Sequence, residues 1–205
     1  IICRLPYVRM KADKDDYAVE NAELENLDAA SRVAWALERF GKGLVMSTSF
    51  GLQSAVMLHL VNRVSTDIPV VFVDTGYLFP ETYEYADTLP KLLGIKPRTY
   101  SAGLSSSVQE ARFGQLWELG KDAMQKYNLI NKVEPMQRAL KELEATAWLA
   151  GLRRKQSSGR AERSFIERQN GVCKIYPILD WDDRTTCPQT RTTFVVQQIL
   201  SLIHI

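Results

Sequence analysis

Sulfur and imidazole are scarce in this chain of 205 residues, which holds three cysteines, Cys3, Cys173 and Cys187, and two histidines, His59 and His204. No Cys-x-x-Cys pair occurs, so a zinc site has little to build on. An odd, sparse cysteine count fits a reducing cytoplasm better than a disulfide scaffold. Long apolar runs are missing as well. None approaches the roughly 20 residues that a membrane-spanning helix requires, and Ile1–Arg9 lacks the apolar stretch and small-residue cleavage site of a secretory leader. Net charge is also small, at +2, too little for a general nucleic-acid binder. Internal repeats and low-complexity segments are absent.

What is present is ordinary for a folded domain: 45% hydrophobic and 24% charged residues exclude a disordered chain, and the length suits one domain with a substantial core. The charge is unevenly placed. Residues 152–174 carry Arg153, Arg154, Lys155, Arg160, Arg163, Arg168 and Lys174 against Glu162 and Glu167. Such a segment suits an anionic ligand or acidic partner; the alternative is a solvated basic loop.

Periodicity predicts a helix over 20–39, uninterrupted by Gly or Pro. After Gly41-Lys42-Gly43 comes a short apolar run from Leu44, then Ser47-Thr48-Ser49-Phe50-Gly51, then a helical stretch from Leu52 to Val64. Val70-Val71-Phe72-Val73 is a continuous β-branched and aromatic run, the pattern of a strand buried on both faces of a parallel sheet. A helix over 81–93 and a strand over 96–101 follow. Residues 104–145 read as mostly helical, broken at Gly114, Gly120 and near Pro135. Residues 145–152 read as a strand leading into the basic loop, and Ile175-Tyr176-Pro177-Ile178 as a short strand or edge weakened by its proline. Strand–helix alternation at this spacing predicts an α/β fold with a parallel sheet.

Three loops carry the candidate chemistry. Ser47, Thr48, Ser49, Phe50 and Gly51 precede a helix, where backbone N–H groups, the helix dipole and hydroxyl donors favour an anion. The Gly-x-x-x-x-Gly-Lys-Ser/Thr pattern of a Walker loop is missing, and Ser49 as an N-cap with Gly51 as a turn residue is the plain alternative. Asp74, Thr75 and Gly76 close the buried strand at its carboxyl end, where open α/β sheets bind ligands; Asp74 as a turn residue is the rival reading. Gly151, Arg153, Arg154, Gln156, Ser157 and Arg160 combine guanidinium forks, which match phosphate and sulfate, with neutral donors.

Taken together, Ser-Thr-Ser-Phe-Gly (47–51), Asp-Thr-Gly-Tyr-Leu-Phe-Pro-Glu-Thr (74–82), Lys-Val-Glu-Pro-Met (132–136), Gly-Leu-Arg-Arg-Lys-Gln-Ser (151–157) and Pro-Ile-Leu-Asp-Trp-Asp-Asp-Arg (177–184) resemble the assimilatory phosphoadenylyl-sulfate (PAPS) reductase family, in order, across roughly residues 20–185. The resemblance implies a Rossmann-like parallel sheet flanked by helices, of the adenine nucleotide alpha-hydrolase-like type. It implies that the 47–51 loop, Lys132 and the arginines of 153–160 handle the phosphosulfate and phosphate groups, and that Asp74 to Gly76 border the nucleoside. The implied reaction yields sulfite and adenosine 3′,5′-bisphosphate from PAPS, with thioredoxin or glutaredoxin as reductant. No nucleic acid or membrane enters it, and a homodimer is compatible with it.

Two departures refine this. Relatives that reduce adenylyl sulfate (APS) hold an iron–sulfur cluster with a cysteine pair just before the Lys-Val-Glu-Pro block. Here Asn128-Leu129-Ile130-Asn131 stands there, without a thiolate, so no cluster is expected and the cluster-free, PAPS-using type is implied. The family also places its nucleophilic cysteine in a Glu-Cys-Gly-Leu-His motif near the C-terminus. No such string occurs in this sequence; the resemblance stops near Thr186, and 186–205 is expected to be an aberrant tail, ending in Leu200-Ser201-Leu202-Ile203-His204-Ile205, which resembles a translated sequencing-library end. Residues 1–19 read as an N-terminal extension, partly read-through before Met10. Cys173 is expected to be a buried structural cysteine, Cys187 lies in the suspect tail, and His59 is expected to be packed on an apolar helix. The expectation is a chain that binds nucleotide and lacks the attacking thiol. Two rivals remain. An ATP pyrophosphatase or adenylyltransferase would need Ser-Gly-Gly-x-Asp-Ser where Phe50 and Gln53 stand. The other is a PAPS-binding module without turnover.

Overall fold

The computed structural model describes residues 17–51 and 54–182. The expectations for the N-terminal extension up to residue 16, for Cys3, and for Cys187 and His204 in the 186–205 tail lie outside those residues.

Two short helices, α1 (Ala18–Glu25) and α2 (Ala29–Phe40), replace the single helix expected over 20–39. Neither Gly nor Pro breaks it. The break comes from side-chain chemistry: Asp28 accepts a hydrogen bond from the Ser31 N–H at 2.7 Å, an N-cap that restarts the helix three residues after α1 ends. Those Ser31 hydrogen bonds also hold the Asp28 carboxyl below its ordinary pKa.

From there the chain alternates β1 (Leu44–Thr48), α3 (Ser54–Val64), β2 (Val70–Asp74), α4 (Pro80–Leu93) and β3 (Arg98–Ser101). Helices α5 (Ser106–Phe113), α6 (Lys121–Asn128) and α7 (Glu134–Glu142) lead into β4 (Ala147–Leu149), β5 (Ile166–Gln169) and β6 (Val172–Ile175). The six strands lie in the order β3-β2-β1-β4-β6-β5. Every neighbouring pair is parallel except β5 with β6, which is antiparallel, so the expected parallel sheet carries one reversed edge strand. The run 70–73 behaves as its composition demands, with Val70, Val71 and Phe72 buried.

Residues 114 and 120 end and begin helices as glycines with positive φ, as expected. No break occurs at Pro135. Residues Leu129–Val133 form one π-helical turn joining α6 to α7, with the Glu134 N–H reaching back to the Leu129 carbonyl. The wider turn suits a proline at the second position of α7, which has no N–H to place in a regular ladder.

Strand β5 was not expected. It is half of a hairpin whose turn, Asn170-Gly171, has both residues at positive φ (52° and 82°), the pairing that two-residue hairpins favour. Pro177 follows β6 and does not sit within it.

One face of the sheet packs Leu44, Met46, Phe72 and Leu149 against α1 to α4. Met136 and Ala139 of α7 cover Val71 and Tyr100 on the other. Because the chain crosses from β3 at one side to β4 on the far side of β1, the strand order reverses between β1 and β4. A crevice outside the carboxyl ends of the strands opens at such a switch point.

Candidate functional site

The crevice is there. A cleft of about 720 Å³ is lined by the end of β1 and its loop (Ser47, Thr48, Ser49, Gly51), by Ser54 at the start of α3, and by Thr75 after β2. Lys132 from the π turn and Gln156 and Arg160 from the basic segment complete the polar rim, with Gly151 and Leu152 after β4 beside them. Met46, Met57, Val73, Leu78, Met136 and Trp148 form apolar walls. No carboxylate lines it among the described residues. Five hydroxyls and two cations around an apolar floor favour an anionic ligand with a flat apolar part.

Each candidate loop is held by contacts that explain its shape. After β1 the chain turns at Phe50, whose φ of 49° is uncommon for a bulky residue. Its ring is buried and meets Phe72 edge-on at 4.9 Å, while its N–H donates to Thr48 Oγ1 at 3.2 Å. Phe50 therefore anchors the loop in the core and does not line the cleft. Ser54 then opens α3 and closes the turn before it, its N–H and hydroxyl both donating to the Gly51 carbonyl at 2.8 and 2.6 Å.

Asp74 plays a similar part after β2. Its Oδ1 accepts from the Gly76 N–H and from the Tyr83 hydroxyl, each at 2.8 Å; burial and this acceptance raise the Tyr83 pKa. Gly76 sits at φ 72°, backbone that strains any residue with a Cβ, and a Cβ there would lie 2.6 Å from Ser106 Oγ and displace that hydroxyl, so glycine is favoured. Asp74 and Gly76 shape the loop, and Thr75 is the member that lines the cleft.

Lys132 owes its place to the π turn. Its neighbour Asn131, fully buried, exchanges hydrogen bonds of 2.8 and 2.9 Å with Gln109 of α5.

The basic segment divides most sharply. Of its seven cations Arg160 alone lines the cleft; it donates to Gln156 Oε1. Arg153 is buried and Ser157 is not part of the lining. Arg154 lies over the Phe165 ring at 5.0 Å and donates to the Arg163 carbonyl. Lys155 pairs with Asp182, and Arg163 with Glu167. The segment is thus largely a set of internal fastenings.

Sequence reading missed Trp148. Its indole N–H donates to Ser47 Oγ at 2.6 Å; the one available signal was an indole N–H, which needs a partner, inside an otherwise apolar strand. Cys173 is buried, as expected, with its Sγ 3.0 Å from the Tyr17 hydroxyl, and it does not line the cleft. His59 lies on α3 with Nε2 buried, and burial, then Arg63, lowers its pKa. Among the described residues no three His, Cys, Asp or Glu side chains gather as a metal site, and no helix is long and apolar enough to cross a membrane.

Residues 43–187 match the model of the phosphoadenosine phosphosulfate reductase domain. The chain belongs to the phosphoadenosine phosphosulfate reductase family. A phosphoadenosine 5′-phosphosulfate reductase of Klebsiella pneumoniae is 56% identical over 168 residues, covering 82% of this chain and 69% of that protein. One of Salmonella choleraesuis is 57% identical over 165 residues, covering 80% and 68%. Among solved structures, a PAPS reductase from Candida auris in a phosphate complex superposes with a TM-score of 0.72 at 26% identity, covering 94% of each chain. A Candida glabrata FMN adenylyltransferase bound to FAD and pyrophosphate reaches 0.57 at 12% identity, over 87% of this chain and 59% of that one; it shares the fold alone. The adenylyltransferase reading is therefore not favoured within this family.

Proposed function

We propose that the cleft binds PAPS for reduction to sulfite and adenosine 3′,5′-bisphosphate. The observation that carries this is the lining itself: Lys132, Arg160 and the hydroxyls of Ser47, Thr48, Ser49 and Thr75 converge at the sheet's switch point, with no opposing carboxylate among the described residues. Cations and neutral donors at the rim suit phosphate and sulfate, and the apolar walls suit the nucleoside. The phosphate complex of the Candida auris relative agrees with an anion-binding role.

In the proposed reaction a cysteine thiolate attacks the sulfur of the phosphosulfate. The bond between that sulfur and the bridging oxygen breaks, the electron pair leaves with adenosine 3′,5′-bisphosphate, and an enzyme thiosulfonate forms. Thioredoxin or glutaredoxin, supplying two electrons through its dithiol, releases sulfite by exchange. Lys132 and Arg160 neutralise charge that grows on the leaving phosphate oxygens. The reading includes no iron–sulfur cluster, a cytoplasmic setting and a homodimer, and takes residues 20–185 as the nucleotide-binding domain. Cys173 lies outside the cleft lining, and the sequence contains no Glu-Cys-Gly-Leu-His string. The 205-residue chain is accordingly expected to hold PAPS without turning it over.

Calorimetric titration with PAPS, APS and ATP tests this, alongside a sulfite-release assay with thioredoxin. PAPS binding tighter than APS or ATP, without sulfite, is the expected result. Sulfite release would overturn the no-turnover part, and magnesium-dependent pyrophosphate release from ATP would overturn the whole reading.

A further inference from the structure

We propose that Trp148 is a positioning residue for ligand binding: its indole N–H engages Ser47 Oγ, so that the Ser47 hydroxyl offers its own proton to an anion in the cleft. This rests on the reading of the cleft as the PAPS site.

Val45 of β1 stands opposite Trp148 of β4, and Ser47, two residues further along β1, shares that face. Trp148 reaches diagonally across and donates at 2.6 Å. An indole nitrogen is a donor only, whereas a serine hydroxyl both donates and accepts. The direction of this bond is therefore unambiguous: Ser47 accepts. Its proton remains for another acceptor, and among the described residues no other hydrogen bond to the Ser47 hydroxyl is made. Both side chains line the cleft, so an anion there is the acceptor at hand. With the Trp148 bond in place, the hydroxyl loses orientations that would otherwise turn a lone pair towards an incoming phosphate or sulfate.

The indole is itself held from the far side. Lys174 of β6, the register neighbour of Trp148, places Nζ 3.9 Å from the ring centroid. A cation over the ring fixes its tilt and draws electron density from the nitrogen, strengthening the donor. Glu167 of β5 stands opposite Lys174 and accepts from Arg163 and the Tyr176 hydroxyl. A polar row thus runs across β5, β6, β4 and β1 and ends on the loop that meets the ligand. A tryptophan serving merely as a wall would need neither the bond to Ser47 nor the cation behind it.

The experiment is a double-mutant cycle on the full chain, with PAPS affinity read by calorimetry and folding by thermal melts. S47A is expected to bind about tenfold more weakly, the order of one hydrogen bond to a charged group. W148F, which keeps the ring and loses the N–H, is expected to lose about three- to tenfold. W148F/S47A should bind no worse than S47A within about twofold, because the indole acts through the hydroxyl. S47T, retaining a hydroxyl, should remain sensitive to W148F; W148Y serves where W148F melts early. A folded W148F or W148Y that binds like wild type overturns the positioning role. So does a loss that recurs in full on the S47A background, which would make Trp148 a wall. A wild-type chain that does not bind PAPS overturns the cleft reading instead, and the proposal with it.

Discussion

Arg32 and Arg160 carry the same guanidinium and meet opposite surroundings. Arg32, on α2, is 2% exposed. Its Nε donates to the Leu24 carbonyl at 2.8 Å, Nη1 to the Pro177 carbonyl and to Asp180, and Nη2 to the second Asp180 oxygen, while its plane stacks 3.9 Å from Phe165. Helix α2 is thereby tied to α1 and to the turn beyond β6. Arg160, with Lys132, stands at a cleft that has no carboxylate among its described lining. A cation surrounded by fixed acceptors has nothing left for a ligand, and its charge stabilises the fold. A cation that faces hydroxyls and apolar walls keeps its electrostatic field for whatever enters. Position decides which role a basic residue takes.

Removing Arg32 gives the largest expected effect. R32A leaves the Pro177 carbonyl and the Asp180 carboxylate without their guanidinium and the Leu24 carbonyl with only backbone donors, a loss of about 3 kcal/mol in urea unfolding. Part of Asp180 is open to water, its side chain being 42% exposed, which limits the cost. PAPS affinity of the folded fraction should stay within about twofold of wild type. A much greater loss of binding would erase the distinction between the two regions.

K132M and R160M should show the reverse. Each is expected to lower PAPS affinity about tenfold to thirtyfold, or about 1.4–2 kcal/mol, while unfolding stability stays within about 0.5 kcal/mol. Rising ionic strength should weaken wild-type binding more than that of either variant. Calorimetry at two salt concentrations checks both statements.

The smallest effect belongs to Lys174, which falls between the two cases: partly buried, with Trp148 on one side and Glu167 beside it. Burial chiefly lowers its pKa to about 8 from the ordinary 10.5. Below about pH 8 both folded and unfolded chains hold the proton, and the folded state bears the cost of burying it. Between about 8 and 10.5 the unfolded chain binds more protons, so stability owed to this residue rises with pH. Relative to K174M, wild type should gain about 1 kcal/mol between pH 7 and pH 10, allowing for solvent screening. A stability difference that stays constant across that range would put Lys174 in water and sharpen the division into two classes.

Some features that sequence reading did not yield were nonetheless written locally. Asn170-Gly171 is a hairpin signal in its own right, and Asp28 three residues before Ser31 is a helix start; both were hidden by stronger neighbouring patterns, a basic run and a long apolar periodicity. The π turn that carries Lys132 is different. Its stability depends on Asn131 meeting Gln109, 22 positions earlier, a pairing that no local window contains.

The sequence by itself determined the alternation of strands and helices, the buried run at 70–73, the three loops at strand ends and, through its motif blocks, the family. These are short-range properties: periodicity, turn chemistry and residue strings act over a few neighbours. Only the tertiary structure decided that Phe50 and Asp74 anchor loops while Thr75 faces the cleft, that Arg160 alone of seven clustered cations reaches the cleft, and that Trp148 bonds Ser47 across 101 positions. Burial and partner choice depend on what the rest of the chain brings alongside, and a side chain's chemistry becomes a role only when those partners are in place.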